Sequence, residues 1–266
     1  MQPKVILVTG GSSGIGRSIC IHLASLGHRV YGTSRSESTK LEIFKSLKLD
    51  VTNDQSVQDG IAELLRLEGR IDVLINNAGI GMVGAIEDSI PEDSAKVFET
   101  NVFGPLRTMQ AVLPAMRAQQ AGLIINVGSI AGYMGLPYRG IYSATKASLG
   151  MITEALRMEL KPYNIQACVV DPGDYSTSIT QNRQVNIPDH SPYKENVLAL
   201  ERMINEEVNH ASDPAEVGIL IAKIINTPQP KVRYLSGKFL QKVSVFLKQT
   251  IGGKFFENIL LSHYKL

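Results

Sequence analysis

Tryptophan is absent from the chain, and cysteine and histidine are scarce, at two and five residues. Cys20 and Cys168 lie far apart in apolar segments, which predicts two reduced core thiols and no disulfide framework. His22, His28, His190, His210 and His263 show none of the spacings that hold a metal ion, so no metal is expected. Net charge is small as well. Lys+Arg number 27 against 25 Asp+Glu, and a formal +2 gives no argument for nucleic acid or an acidic partner. The longest uncharged stretch, 118–138, contains Gln119, Gln120, Asn126, Ser129 and Pro137, and reads as a buried strand and loop rather than a membrane span. Lys4 is followed by only four apolar residues before the glycines begin, so no secretory leader is expected and the location inferred is cytoplasmic.

What the 266 residues do contain is alternation. Short β-rich runs at 4–9, 28–34, 47–50, 72–77, 122–129, 165–171 and 231–237 are separated by helix-period segments at 15–27, 54–69, 142–163 and 213–226. A short helical candidate lies near 37–46, and a long helical region after Pro91 reaches Gln119 in two pieces. This rhythm predicts an α/β fold: a single-domain, doubly wound Rossmann-type sheet of seven parallel strands, with helices on both faces. Residues 1–237 are expected to form a dinucleotide-binding and catalytic domain, with 174–212 as a substrate loop or lid. Residues 238–266 form an amphipathic, basic helical extension. Packing on the domain or a neighbouring subunit is preferred for it over lying on a membrane surface.

Between the first strand and the first helix stands TGGSSGIG, residues 9–16. Gly10, Gly14 and Gly16 let backbone approach a pyrophosphate, and the loop residues Ser12, Ser13 and Ile15 lead into a helix N-terminus with free N–H donors. The spacing is not G-x-G-x-x-G. At the end of the second strand an acidic residue would hold an adenine-ribose hydroxyl of NAD; here Ser34 stands there and Arg35 follows. A guanidinium suits a 2′-phosphate, so NADP(H) is expected over NAD(H).

In YSATK, residues 142–146, a tyrosine and a lysine share one helix face a turn apart. A phenol with a pKa near 10 is a poor base at neutral pH. Neighbouring positive charge, from Lys146 and an oxidised nicotinamide, would favour the phenolate. Lowering it by roughly three units corresponds to about 4 kcal/mol. Tyr142 would then exchange a proton with a substrate oxygen while hydride moves between carbon and nicotinamide, and Lys146 would help position the cofactor. Ser129 ends a strand at the sheet edge where ligands bind, placed to donate to a developing alkoxide. Each residue alone has an ordinary explanation, and Tyr138 is a rival tyrosine without a lysine one turn on. Their conjunction with the glycine loop favours catalysis.

TGGSSGIG, NNAG (76–79), Asn101, Ser129, YSATK and DPG (171–173) occur in the order and spacing of the short-chain dehydrogenases/reductases. The chain resembles that family from Lys4 to about Gly237, and looks most like its hydroxysteroid and retinol dehydrogenase-like members. The resemblance implies a catalytic tetrad of Asn101, Ser129, Tyr142 and Lys146. It places Asp50 and Val51 at the adenine, and Asn77, Ala78 and Gly79 along the cofactor. Pro172, Gly173 and Thr177 fall at its nicotinamide end, and a homodimer or homotetramer is implied. Two departures stand out: Ser13 replaces a second basic residue found in many NADP-using members, and Asp174 and Tyr175 follow the PG turn in place of apolar residues. Met82, Met134, Leu136 and Pro137 suggest an apolar pocket wall. The expected reaction is carbonyl–alcohol interconversion on a steroid-, retinoid- or lipid-like substrate. The alternatives are a 3-oxoacyl thioester reductase, or a cofactor-binding sensor without catalysis.

Overall fold

A computed structural model describes residues 2–36, 42–175, 183–209 and 211–266. β1 (Val5–Val8), α1 (Gly14–Ser25), β2 (Arg29–Ser34) and β3 (Lys45–Lys48) build one half of the sheet. α2 (Asp54–Glu68), β4 (Val73–Asn76), α3 (Pro91–Phe98), α4 (Gly104–Gln119) and β6 (Gly122–Val127) follow, with β5 (Met82–Val83) between β4 and α3. Then come α5 (Gly140–Glu159), β7 (Ile165–Pro172), β8 (Gln184–Val185), α6 (Lys194–Asn209), α7 (Ala215–Ile225) and β9 (Arg233–Ser236). α8 (Phe239–Thr250) and α9 (Gly253–Tyr264) close the chain.

Seven of these strands pair in parallel in the order β3-β2-β1-β4-β6-β7-β9. The apolar run of β1 shows why. Val5 and Leu7 enter one core with Val57, Ile61 and Leu64 of α2 and Val112 and Met116 of α4. Ile6 and Val8 enter the opposite core with Ile19 and Leu23 of α1 and Val217 and Ile221 of α7. A strand buried on both faces needs apolar residues at every position, so VILV is continuous rather than alternating. Strand order reverses between β1 and β4, and a crevice opens beyond the carboxyl ends of those strands.

The sheet differs from the sequence reading in detail. β3 spans 45–48 rather than 47–50, so Lys45 and Ser46 of the helical candidate at 37–46 are strand residues; residues 37–41 lie outside the described part. Ladder pairing of Tyr31 with Lys45 and Thr33 with Leu47 overrides the local helical pattern. The pair β5–β8, with Met82 opposite Gln184 and Val83 opposite Val185, was not foreseen, because two residues are too few to show a period. Between α3 and α4 the helix widens into a π turn over Glu99–Phe103, which carries Asn101. Gly150, an apparent weak point of α5, lies against Arg233: a Cβ there would come within 3.0 Å of its guanidinium.

α8 and α9 contribute Val245 and Phe256 to a small cluster with Met134 in the segment after β6. Gln241 of α8 ties them to the PG turn, its amide donating to the Asp174 carboxylate at 2.5 Å while its carbonyl oxygen accepts from the Asp174 backbone N–H at 3.4 Å. Tyr175 is buried and its hydroxyl meets Ser236 at 2.6 Å. Of the two departures after the PG turn, Asp174 thus anchors α8 and Tyr175 the end of β9.

Candidate active site

The glycine loop is drawn tight against the end of β4. Thr9 Oγ1 accepts hydrogen bonds from the backbone N–H groups of Asn77 and Ala78, each at 3.0 Å. Asn77 Nδ2 donates back to the carbonyls of Thr9 and Gly10 at 3.1 and 3.3 Å. Gly10 has φ +64°, and a Cβ on Gly16 would sit 2.2 Å from the Gly10 carbonyl oxygen, so neither position accepts a side chain. Gly16 therefore shapes the loop from behind, and Gly10, Ser12, Ser13, Gly14 and Ile15 face the crevice. Thr9 was missed in the sequence, where a threonine before glycines carries no distinguishing signal.

The crevice is a cavity of about 1180 Å³ that continues from this loop to the C-terminal helices. Arg35, Asp50 and Val51 line one end, Asn77, Ala78 and Gly79 its middle, and Ser129, Tyr142, Lys146, Pro172 and Gly173 the region beyond. Thr177 lies outside the described residues. Arg35 is exposed and has no ion-pair partner among the described residues, whereas Arg17 of α1 is bound to Glu42 through 3.0 and 3.1 Å bonds. Asp50 Oδ1 accepts from both the backbone N–H and the hydroxyl of Thr52, at 2.9 and 2.8 Å.

Tyr142 and Lys146 project from α5 towards Ser129, which begins the turn after β6. Lys146 is buried, and its Nζ donates to the Val127 carbonyl at 2.9 Å. Its other N–H donors have no partner among the described residues. Desolvation pushes its pKa down to about 8, against the opposing pull of the Asp171 carboxylate. Nζ lies 5.8 Å from the Tyr142 ring centre.

Burial is also the largest influence on the Tyr142 phenol, and pushes its pKa up. A hydrogen bond with Ser129, then the guanidinium groups of Arg139 and Arg183, favour the ionised form. Removal from water outweighs the serine and the two guanidinium groups in setting that direction. Arg139 and Arg183 were missed: Arg139 precedes Tyr142 by one turn at the cap of α5, where an arginine carries no distinguishing signal, and Arg183 comes from a segment distant in sequence. Tyr138, the rival tyrosine, packs instead beside Tyr193 and accepts from Asn196.

Asn101 does not line the cavity. Its Oδ1 accepts from Ile80 N–H at 2.9 Å, and its Nδ2 donates to Ile80 carbonyl and Thr145 Oγ1 at 2.9 and 3.1 Å. A Cβ on Gly79 would fall 3.2 Å from Asn101 Oδ1 and 3.6 Å from Lys146 Nζ, so the asparagine braces the strip of backbone beside the lysine. Asp171 braces the opposite side. It is fully buried, and accepts from Ser129 N–H at 3.1 Å, Tyr133 hydroxyl at 3.0 Å and Arg233 Nε at 2.9 Å. The sequence marked Asp171 only as part of DPG.

A glycine cradle, an open helix N-terminus and a buried lysine with unfilled donors fit a dinucleotide laid across the switch point. The family model described as short chain dehydrogenase matches residues 4–187. A 3-ketodihydrosphingosine reductase of Bacteroides thetaiotaomicron is 40% identical over 243 residues, covering 91% of this chain and 90% of the relative. Human 17-beta-hydroxysteroid dehydrogenase type 1 is 30% identical, covering 96% and 84%. A short chain dehydrogenase/reductase from Burkholderia phymatum, solved in complex with NAD, superposes with a TM-score of 0.81 at 26% identity and covers 92% of each chain. This chain belongs to the short-chain dehydrogenase/reductase family, and is an oxidoreductase with a Rossmann-type site for NAD(P).

Proposed function

We propose that the protein is an NADP(H)-dependent reductase of a long-chain, lipid-like ketone, of the kind represented by a 3-keto sphingoid base. The observation that carries the reading is the apolar lining of the cavity: besides Tyr142 it takes in Met134 and Leu136 after β6 and Leu240, Leu247 and Phe256 of the C-terminal helices. Such a lining suits an extended apolar chain with its carbonyl at Tyr142. The similarity to a 3-ketodihydrosphingosine reductase supports the same substrate class.

In this reading the bound cofactor supplies hydride to the carbonyl carbon. The N–H groups at the start of α1 and the Arg35 guanidinium hold its phosphates, Asp50 and Val51 flank the adenine, and Lys146 holds a ribose hydroxyl. Pro172 and Gly173 border the nicotinamide end. Ser129 donates to the substrate oxygen as negative charge develops there. Tyr142 then gives that oxygen its proton. A phenol whose pKa is raised by burial starts protonated, as the acid in a reduction must. Arg139, Arg183 and Lys146 stabilise the phenolate left behind. Asn101 acts by positioning Gly79–Ile80 rather than by touching substrate.

A second reading, reduction of a 3-oxoacyl thioester, draws support from Arg139 and Arg183: Arg139 donates through Nη2 to the Tyr264 hydroxyl while its buried Nε has no partner among the described residues, and two guanidinium groups at the cavity suit an anionic carrier. The deciding experiment follows NADPH oxidation with 3-ketodihydrosphingosine and with a 3-oxoacyl thioester, in wild type and Tyr142→Phe. We expect the sphingoid ketone to give the higher kcat/KM, and Tyr142→Phe to lose turnover while retaining NADPH affinity. Preference for the thioester, or near-normal turnover in the variant, overturns the substrate or the acid assignment respectively.

A further inference from the structure

The C-terminal helices bury one side and leave the other uncovered. Val245 and Phe256 are in the core cluster with Met134, yet Phe239 is 78% exposed, Phe246 63% and Phe255 64%. Three phenylalanines presented to water on two short consecutive helices exceed what scattered surface hydrophobes explain. They are accompanied by basic charge. Residues 238–266 contain five lysines against one glutamate, whereas the preceding 237 residues carry 22 Lys+Arg against 24 Asp+Glu. The chain's positive excess is thus concentrated in its last two helices. Lys238, Lys242 and Lys254 are exposed, and none is in an ion pair among the described residues.

This face also borders the cavity. Leu240 and Ile259 line the cavity and are themselves exposed, at 78% and 38%, so the apolar lining reaches the surface on the helices that carry the uncovered aromatics. No described helix is long and apolar enough to cross a membrane. By helical spacing Phe239, Lys242 and Phe246 share one face of α8, and Phe255 shares a face of α9 with the cavity-lining Ile259; exposed aromatics, lysines and cavity-lining residues so combined fit a helix pair lying in the plane of a lipid interface.

We propose that α8 and α9 dock the protein on an anionic phospholipid surface, with Phe239, Phe246 and Phe255 inserted below the headgroups and Lys238, Lys242 and Lys254 among them. An apolar substrate then enters the cavity past Leu240 and Ile259 without crossing bulk water. A second copy of the chain is a poorer occupant, because a two-fold contact brings lysine-rich surface against itself. The exposed phenylalanines and lysines belong to the tail alone, whichever ketone the site reduces.

The test uses the full-length protein and vesicles of phosphatidylcholine with or without phosphatidylglycerol, read by co-sedimentation. We expect pelleting with the anionic vesicles, weakened by high salt. Phe239→Ser/Phe246→Ser/Phe255→Ser should lower the partition coefficient by about tenfold or more, with the far-UV spectrum and NADPH affinity unchanged. None of these three side chains lines the cavity. If that variant fails to fold, Lys238→Glu/Lys242→Glu/Lys254→Glu should still abolish anionic-lipid pelleting. Absence of pelleting in the wild type, pelleting unaffected by a folded variant, or conversion of a larger oligomer to a smaller one by the phenylalanine changes would overturn the proposal, the last by showing that a second copy covers the face.

Discussion

Replacing Lys146 by methionine should change how stability depends on pH in a direction opposite to that of most lysines. The ammonium is buried and its pKa is pushed from an ordinary 10.5 down to about 8 by desolvation. Between pH 8 and about 10.4 the unfolded chain therefore holds a proton that the folded chain has released. Unfolding free energy rises with pH wherever the unfolded state binds more protons, so the burial penalty is fully present below pH 8 and is relieved above it. Integrated from pH 7 to pH 9.5, the wild type should gain about 2 kcal/mol relative to Lys146→Met. The variant also loses the bond to the Val127 carbonyl, which costs about 1–3 kcal/mol. That loss is nearly constant with pH and drops out of the slope. Urea denaturation of both proteins at several pH values, at one protein concentration and analysed by linear extrapolation, measures the difference. A stability difference that stays flat from pH 7 to 9.5, or that moves in favour of the variant, would refute the claim that this ammonium is held out of water.

Arg35→Ala should weaken NADPH binding by roughly ten- to a hundred-fold, the loss of a charge-assisted phosphate contact, and leave NADH affinity unchanged; fluorescence titration with both cofactors checks this. An equal loss for both would remove the 2′-phosphate from the argument. Asp171→Asn leaves the Arg233 guanidinium without its buried partner, and should lower unfolding free energy by about 3–5 kcal/mol. Chemical denaturation reads it directly, and a change under 1 kcal/mol would show that the Asp171–Arg233 pair does not hold the Ser129 turn.

Much of the site was legible because its parts are local. The glycine loop spans eight residues, and Tyr142 and Lys146 are one helical turn apart, so chain spacing alone brings them to one face. The parallel sheet was legible for a similar reason: a strand covered on both faces is apolar in a continuous run, and VILV, LII and CVV advertise that requirement residue by residue. β3 and the β5–β8 pair were not, since each owes its conformation to a partner strand distant in sequence rather than to its own pattern.

The charge environment of the candidate site belongs to the tertiary structure. Ser129 hydrogen-bonds Tyr142 from the turn after β6, the charge of Arg183 acts on the phenol from a segment beyond β7, and Asp171 reaches Ser129 across 42 residues of chain. Asn101 faces the Ile80 backbone from within a π turn. Sequence by itself determined which groups are available and which helix or strand carries each. Only the folded chain decided how far each is removed from water, because desolvation depends on everything packed around a group, and that is what sets the phenol high and the ammonium low.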